Sequence, residues 1–135
     1  MIWEERSPVY GDVIRTRIRF YYHYGIYVSD ERVIQFGLPD NRDIPNEQIA
    51  VLHTDIRTFL AGGSLEVGKA DREERCSLRT PAQTVSRAES RLGETGYNIL
   101  HNNCEHFVYD CALGQPKAGW LEDARAKLRQ KLGKE

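Results

Sequence analysis

The hexapeptide Asn103-Cys104-Glu105-His106-Phe107-Val108 constrains this chain more than any other stretch. Asn is a poor helix former but a strong N-cap, because its side-chain oxygen accepts a bond from an orphan N–H of the first turn. With Asn102 and Asn103 in front, the pattern predicts a helix that opens at Cys104. Phe107, Val108 and Cys111 continue the i, i+3, i+4, i+7 stripe of a helix laid on a core. The cysteine is therefore expected at a helix start, where core meets cleft. The orphan N–H groups and the positive dipole end there favour a thiolate over a thiol. Cys104 is the candidate nucleophile.

Upstream the pattern is that of strands. A turn at Gly11-Asp12 leads to a strand through Val13, Ile14, Thr16, Ile18 and Phe20. Tyr21 to Val28, dense in aromatic and β-branched residues, is a second strand, and Val33 to Phe36 returns as a third after the polar turn at Ser29 to Arg32. Leu38 to Pro45 is loop. Thr54 is expected to cap a short helix through Ile56, Phe59 and Leu60, and Leu65 to Val67 to form another strand. Thr80-Pro81-Ala82-Gln83 combines a cap, a proline at the first helical position and a capping-box glutamine. Tyr97 to Leu100 is expected as a short strand entering the cysteine helix. The fold class is α+β, an antiparallel β-sheet with packed helices.

A chain of 135 residues is one domain. Residues 1–119 form the main domain and residues 120–135 a basic amphipathic helix, with Leu121, Ala124, Leu128 and Leu132 against Arg125, Lys127, Arg129 and Lys131. That helix either packs back on the domain or makes peripheral contact with a membrane surface. A formal net charge of −1 supplies no field for nucleic acid, and no nucleic-acid partner is expected. Cys104 and Cys111 lie about 10 Å apart along a helix, too far to bridge. Free thiols suit a reducing, cytoplasmic location. The N-terminus has neither the basic start nor the apolar run of a signal peptide.

A cysteine nucleophile needs a base and a group that orients the base. The histidines are His23, His53, His101 and His106. His106 stands two positions after Cys104, about 200° round the helix, so its ring points away from the thiol. His101 is in the approach to the helix, and His53 precedes a short surface helix. His23 is a polar ring on a mostly apolar strand. If Ser29-Asp30-Glu31 is a three-residue loop, Gly25 faces Gln35, and His23 becomes its diagonal neighbour on the same face. A four-residue loop would part them. Gln35 would then hold the imidazole, and Gly25 would leave room for substrate or for the cysteine helix. Singly, each residue has a plainer role: core packing for Cys104 and Cys111, a bonded core ring for His23, a solvated side chain for Gln35. Zinc held by His101, Cys104, His106 and Cys111 is the rival joint reading, but one helix cannot aim its three at a single ion.

In two blocks the chain resembles the lecithin:retinol acyltransferase-like family, which includes the H-Ras-suppressor-type phospholipase/acyltransferases. One block is Gly11 to Ile14 leading into His23-Tyr24-Gly25-Ile26-Tyr27-Val28; the other is Tyr97 to Leu100 leading into Asn103 to Val108. The likeness runs from about Pro8 to Leu113. It implies a circularly permuted NlpC/P60 (papain-like) core, with Cys104 as nucleophile, His23 as base and residues 1–119 as the catalytic domain. It also implies an acyl-lipid or other acyl-ester substrate, an acyl-thioester intermediate and no cofactor. Many animal members have histidine where this chain has Gln35, which orients an imidazole but carries no charge. The backbone N–H of Cys104 is the expected oxyanion donor. Two other readings are a permuted papain-like peptidase or isopeptidase, whose relatives share an Asn-Cys-x-His-Phe block, and a catalytically silent binding module.

Overall fold

Apolar residues on both sides of the strands over 13–36 require a sheet covered on both faces, and the chain supplies helices for each. The computed structural model describes residues 1–40 and 43–114. Among them, six strands form one antiparallel sheet: β1 (Ile2–Glu4), β2 (Val13–Ile18), β3 (Tyr21–Ser29), β4 (Arg32–Phe36), β5 (Val51–Thr54) and β6 (Leu65–Lys69). Their order is β1-β6-β2-β3-β4-β5, so the two strands without a sequence signal, β1 and β5, are the short edges. The helices are α1 (Ile56–Leu60), α2 (Pro81–Ser90) and α3 (Cys104–Leu113).

The two faces carry separate cores. On one, α2 and α3 cover Val13, Tyr24, Ile26, Ile34 and Phe36 with Val85, Phe107 and Val108. On the other, Phe59 of α1 packs with Ile14, Val33 and Val67. The expected apolar stripe of α3 proves too narrow, because the helix is buried on nearly every side from Cys104 to Leu113. The capping box of α2 forms as its sequence predicts, with Thr80 and Gln83 bonded reciprocally.

Three local expectations need correction. The β3–β4 hairpin has a two-residue turn, with Ser29 opposite Arg32, and a bulge between Tyr27 and Ser29 takes up Val28. A bulge sets two residues against one, so it restores the parity of the expected three-residue loop, and Gly25 still faces Gln35. The cap of α1 is Asp55, whose carboxylate accepts the Thr58 N–H at 2.7 Å, while Thr54 ends β5. Tyr97 to Leu100 is not a strand. The Asn98 side chain accepts the N–H groups of Leu100 and His101 at 2.9 and 3.2 Å, and that local turn displaces extended pairing. The helix expected over 120–135, with its boundary at 119, lies outside the described residues. Among the described residues no helix is long and apolar enough to cross a membrane.

Candidate active site

Cys104 opens α3 behind a complete cap. The Asn103 side-chain oxygen accepts the N–H groups of Glu105 and His106 at 2.9 and 3.0 Å, and its Nδ2 donates to the Ile99 carbonyl at 2.8 Å. His106 closes the box in return, its Nδ1 accepting the Asn103 N–H at 3.1 Å. The imidazole next to the cysteine is thus committed to the cap. Cys104 itself is only 8% exposed.

His23 sits 2% exposed on β3, with its ring 5.1 Å from that of Phe59. Its Nε2 lies 2.8 Å from Gln35 Oε1. The Gln35 amide nitrogen donates to the Val33 carbonyl at 3.2 Å and to Thr54 Oγ1 at 2.8 Å, and the Thr54 hydroxyl donates onward to the Asp55 carbonyl at 3.0 Å. Turning the amide over would set its oxygen against the Val33 carbonyl, so the chain has one direction. Gln35 Oε1 must face an N–H, which places the imidazole proton on Nε2 and the lone pair on Nδ1. The expected contact between His23 and Gln35 is therefore made, and Thr54 extends it.

Gly25 plays a different part from the one expected. A Cβ there would meet Phe59 Cε1 at 2.7 Å and Val33 Cγ1 at 2.9 Å. Its bare backbone makes space for Phe59, on the α1 face, not for substrate or α3. Strand alternation puts His23 on that same face, whereas Tyr24 belongs to the core under α3. Cys104 and His23 nonetheless line one cleft of about 530 Å³, together with Tyr24, Tyr97, Ile99 and Glu105. They share it because the β3–β4 ladder ends at Gly25–Gln35, after which Phe36 pairs only with Val51 of β5. The Tyr27 N–H donates to Asp12 on the β2 side at 2.9 Å. Alternation then sends the Tyr24 N–H to the β4 side, into the opening beyond the last rung.

The electrostatics overturn one expectation. Burial pushes the Cys104 thiol up to about 11, against the pull of the Tyr24, Cys104 and Glu105 backbone N–H groups, and the Glu105 carboxylate adds to the rise. Burial pushes His23 down to about 4, with the Gln35 bond opposing. Helix-end donors do favour the thiolate, as the sequence suggests, but desolvation outweighs them. Both groups rest neutral. The Tyr24 phenol is also held un-ionised, first by burial and then by Glu105, with Arg15 acting in the opposite sense. Arg15 is fixed between the Trp3 and Tyr22 rings at 4.1 and 3.8 Å and is bonded to Glu66 at 3.0 Å. Tyr24 and Glu105 had no signal beyond adjacency to His23 and Cys104, Arg15 had none, and Thr54 was expected only as a helix cap. His53 and His101 are exposed, the latter in the turn before α3. Among the described residues no group of three or more His, Cys, Asp or Glu side chains is placed to hold a metal ion.

Residues 6–117 match the family model described as Lecithin retinol acyltransferase. The lecithin retinol acyltransferase of Bos taurus is 31% identical over 135 residues, covering 85% of this chain and 59% of its own length. That of Rattus norvegicus is 30% identical over 134 residues, with 84% and 58% covered. Phospholipase A and acyltransferase 3 of Mus musculus is 29% identical over 128 residues, covering 87% of this chain and 78% of its own length. The chain spans about three-fifths of the length of the lecithin retinol acyltransferases it matches. A family match across most of the residues, including both the His23 strand and the Cys104 helix, means that this chain belongs to the lecithin retinol acyltransferase family.

Proposed function

We propose that this chain is a cysteine acyltransferase or acyl hydrolase that takes its acyl group from a lipid ester. The observation that carries the reading is that His23, held by Gln35 through Nε2, lines the same cleft as Cys104. The apolar lining of that cleft suits an acyl chain better than an extended peptide, and the relatives named for lecithin and phospholipase A support the same class. A helix that starts at the cysteine and packs on a sheet carrying the histidine is in keeping with a circularly permuted papain-like core.

In this reading Cys104 Sγ adds to the ester carbonyl as His23 Nδ1 takes the thiol proton. The carbonyl oxygen becomes an oxyanion, for which the backbone N–H groups of Cys104 and Tyr24, both directed at the Cys104 sulfur, are the donors in this reading. Collapse breaks the ester C–O bond, and the imidazolium returns the proton to the departing oxygen. The acyl thioester on Cys104 is then attacked by water, an alcohol or an amine, with His23 removing the acceptor's proton; collapse breaks the C–S bond, and the imidazolium gives the proton to the departing sulfur. Gln35 orients the ring throughout, and the nearby Phe59 ring limits its tilt.

Intact-protein mass spectrometry after mixing with phosphatidylcholine tests this. Wild type should gain one acyl mass, Cys104→Ala none, and His23→Ala should acquire it at least ~10²-fold more slowly, the usual worth of a general base. A wild type that stays unacylated by phosphatidylcholine but cleaves an isopeptide would replace the reading with a peptidase. No adduct with either would make the fold a binding module.

A further inference from the structure

Among the described residues, the mouth of the cleft carries exposed apolar side chains. Phe20 is 98% exposed, Ile99 62% and Leu100 50%. Phe20 and Ile99 line the cleft that holds Cys104, so the exposed rim and the apolar interior are continuous. Both rim elements are held in place. Ile18 pairs with Tyr21, so Arg19 and Phe20 form a two-residue hairpin tip, and Arg19 takes the left-handed conformation with φ 53°. Glycine or asparagine is the unstrained choice at such a tip. This chain has instead a cation and a protruding aromatic. The turn bearing Ile99 and Leu100 is tied to the cap of α3, since Asn103 Nδ2 donates to the Ile99 carbonyl and Asn98 holds the Leu100 N–H. Arg17 and Arg19 are exposed beside Phe20, and among the described residues neither is in an ion pair.

We propose that the β2–β3 tip and the 98–100 turn form a membrane-docking surface, with Phe20, Ile99 and Leu100 entering the acyl boundary of an anionic bilayer and Arg17 and Arg19 against its headgroups. The proposal rests on the lipid-ester reading for its purpose but not for its test. A projecting aromatic flanked by cations fits a soft, negatively charged, apolar medium. It is a poor match for a flat protein surface. Docked in this way, the cleft opens onto the bilayer, and an acyl chain passes from lipid to Cys104 without crossing water.

The test uses the full chain and flotation with vesicles of phosphatidylcholine alone or mixed with phosphatidylserine. Wild type and Cys104→Ala should float alike, so failure of the chemistry does not hide docking. Phe20→Ser should weaken binding by at least ~10-fold, the loss of one buried aromatic. Arg17→Gln with Arg19→Asn should remove most of the phosphatidylserine dependence, at about fivefold per arginine. In Phe20→Trp, the indole emission in excess of wild type, which already has Trp3 and Trp120, should shift to the blue on adding vesicles. Wild type that does not float, or a Phe20→Ser variant that floats as well as wild type, overturns the proposal. So does a Phe20→Trp emission that shifts with protein concentration in the absence of lipid, which would make the rim a contact between copies of the chain.

Discussion

The resting state of the Cys104–His23 pair makes the sharpest prediction. Moving the thiol proton to the imidazole means taking it from a group at about 11 to one at about 4. At ~1.36 kcal/mol per pH unit, that separation costs roughly 10 kcal/mol before the two charges attract. Attraction at a contact distance of ~4 Å, with an effective dielectric of ~20, returns about 4 kcal/mol. The neutral pair therefore wins by several kcal/mol, and the thiolate is a rare species at neutral pH. The assay is the second-order rate of Cys104 alkylation by iodoacetamide across pH ~5 to ~9.5, with far-UV circular dichroism to show that the fold persists. The log rate should climb with unit slope throughout, and His23→Ala should leave that profile unchanged, because a neutral imidazole is not what sets the thiol. The 8% exposure of Cys104 lowers the absolute rate but not the slope. A plateau reached below pH ~7 that disappears in His23→Ala would reveal a preformed thiolate–imidazolium pair and refute the reasoning.

Gln35→Leu leaves the His23 Nε2–H and Thr54 Oγ1 without their buried partner, which costs about 1–3 kcal/mol in denaturant unfolding and frees the tautomer. Its kcat should fall ~10²-fold or more on a vesicle substrate. His23 binds a proton near 6.5 in the unfolded chain and only near 4 in the folded one, so over that window the unfolded state holds more protons and stability falls as pH drops. The loss from this group approaches about 3 kcal/mol by pH ~4, and urea melts of His23→Gln should show that much less acid sensitivity. Gly25→Ala drives a methyl into Phe59 and Val33 and should cost about 1–3 kcal/mol with no change in the far-UV spectrum.

What could be read in advance was what local chemistry decides. The Thr80–Gln83 box and the Asn103 cap are contacts within four residues, and they form as their sequences require. The His23–Gln35 contact was legible through parity, although a bulge at Val28 supplies it in place of the longer loop. Two things depend on tertiary placement and left no local mark. One is the fraying of the β3–β4 ladder past Gly25–Gln35, which lets a histidine on the α1 face share a cleft with a cysteine on the α3 face. The other is the state of the thiol. A helix start stabilises a neighbouring anion by at most ~2 kcal/mol. Full burial of an ionisable group moves it by as much as ~3–5 pH units the other way. The residues that mark Cys104 as a helix-start nucleophile, Phe107 and Val108 behind it, are the ones that pull the helix into the core and bury the sulfur. In the proposed reaction, such a thiol stays quiet until an acyl ester brings it a carbonyl, with proton transfer to His23 timed to the attack.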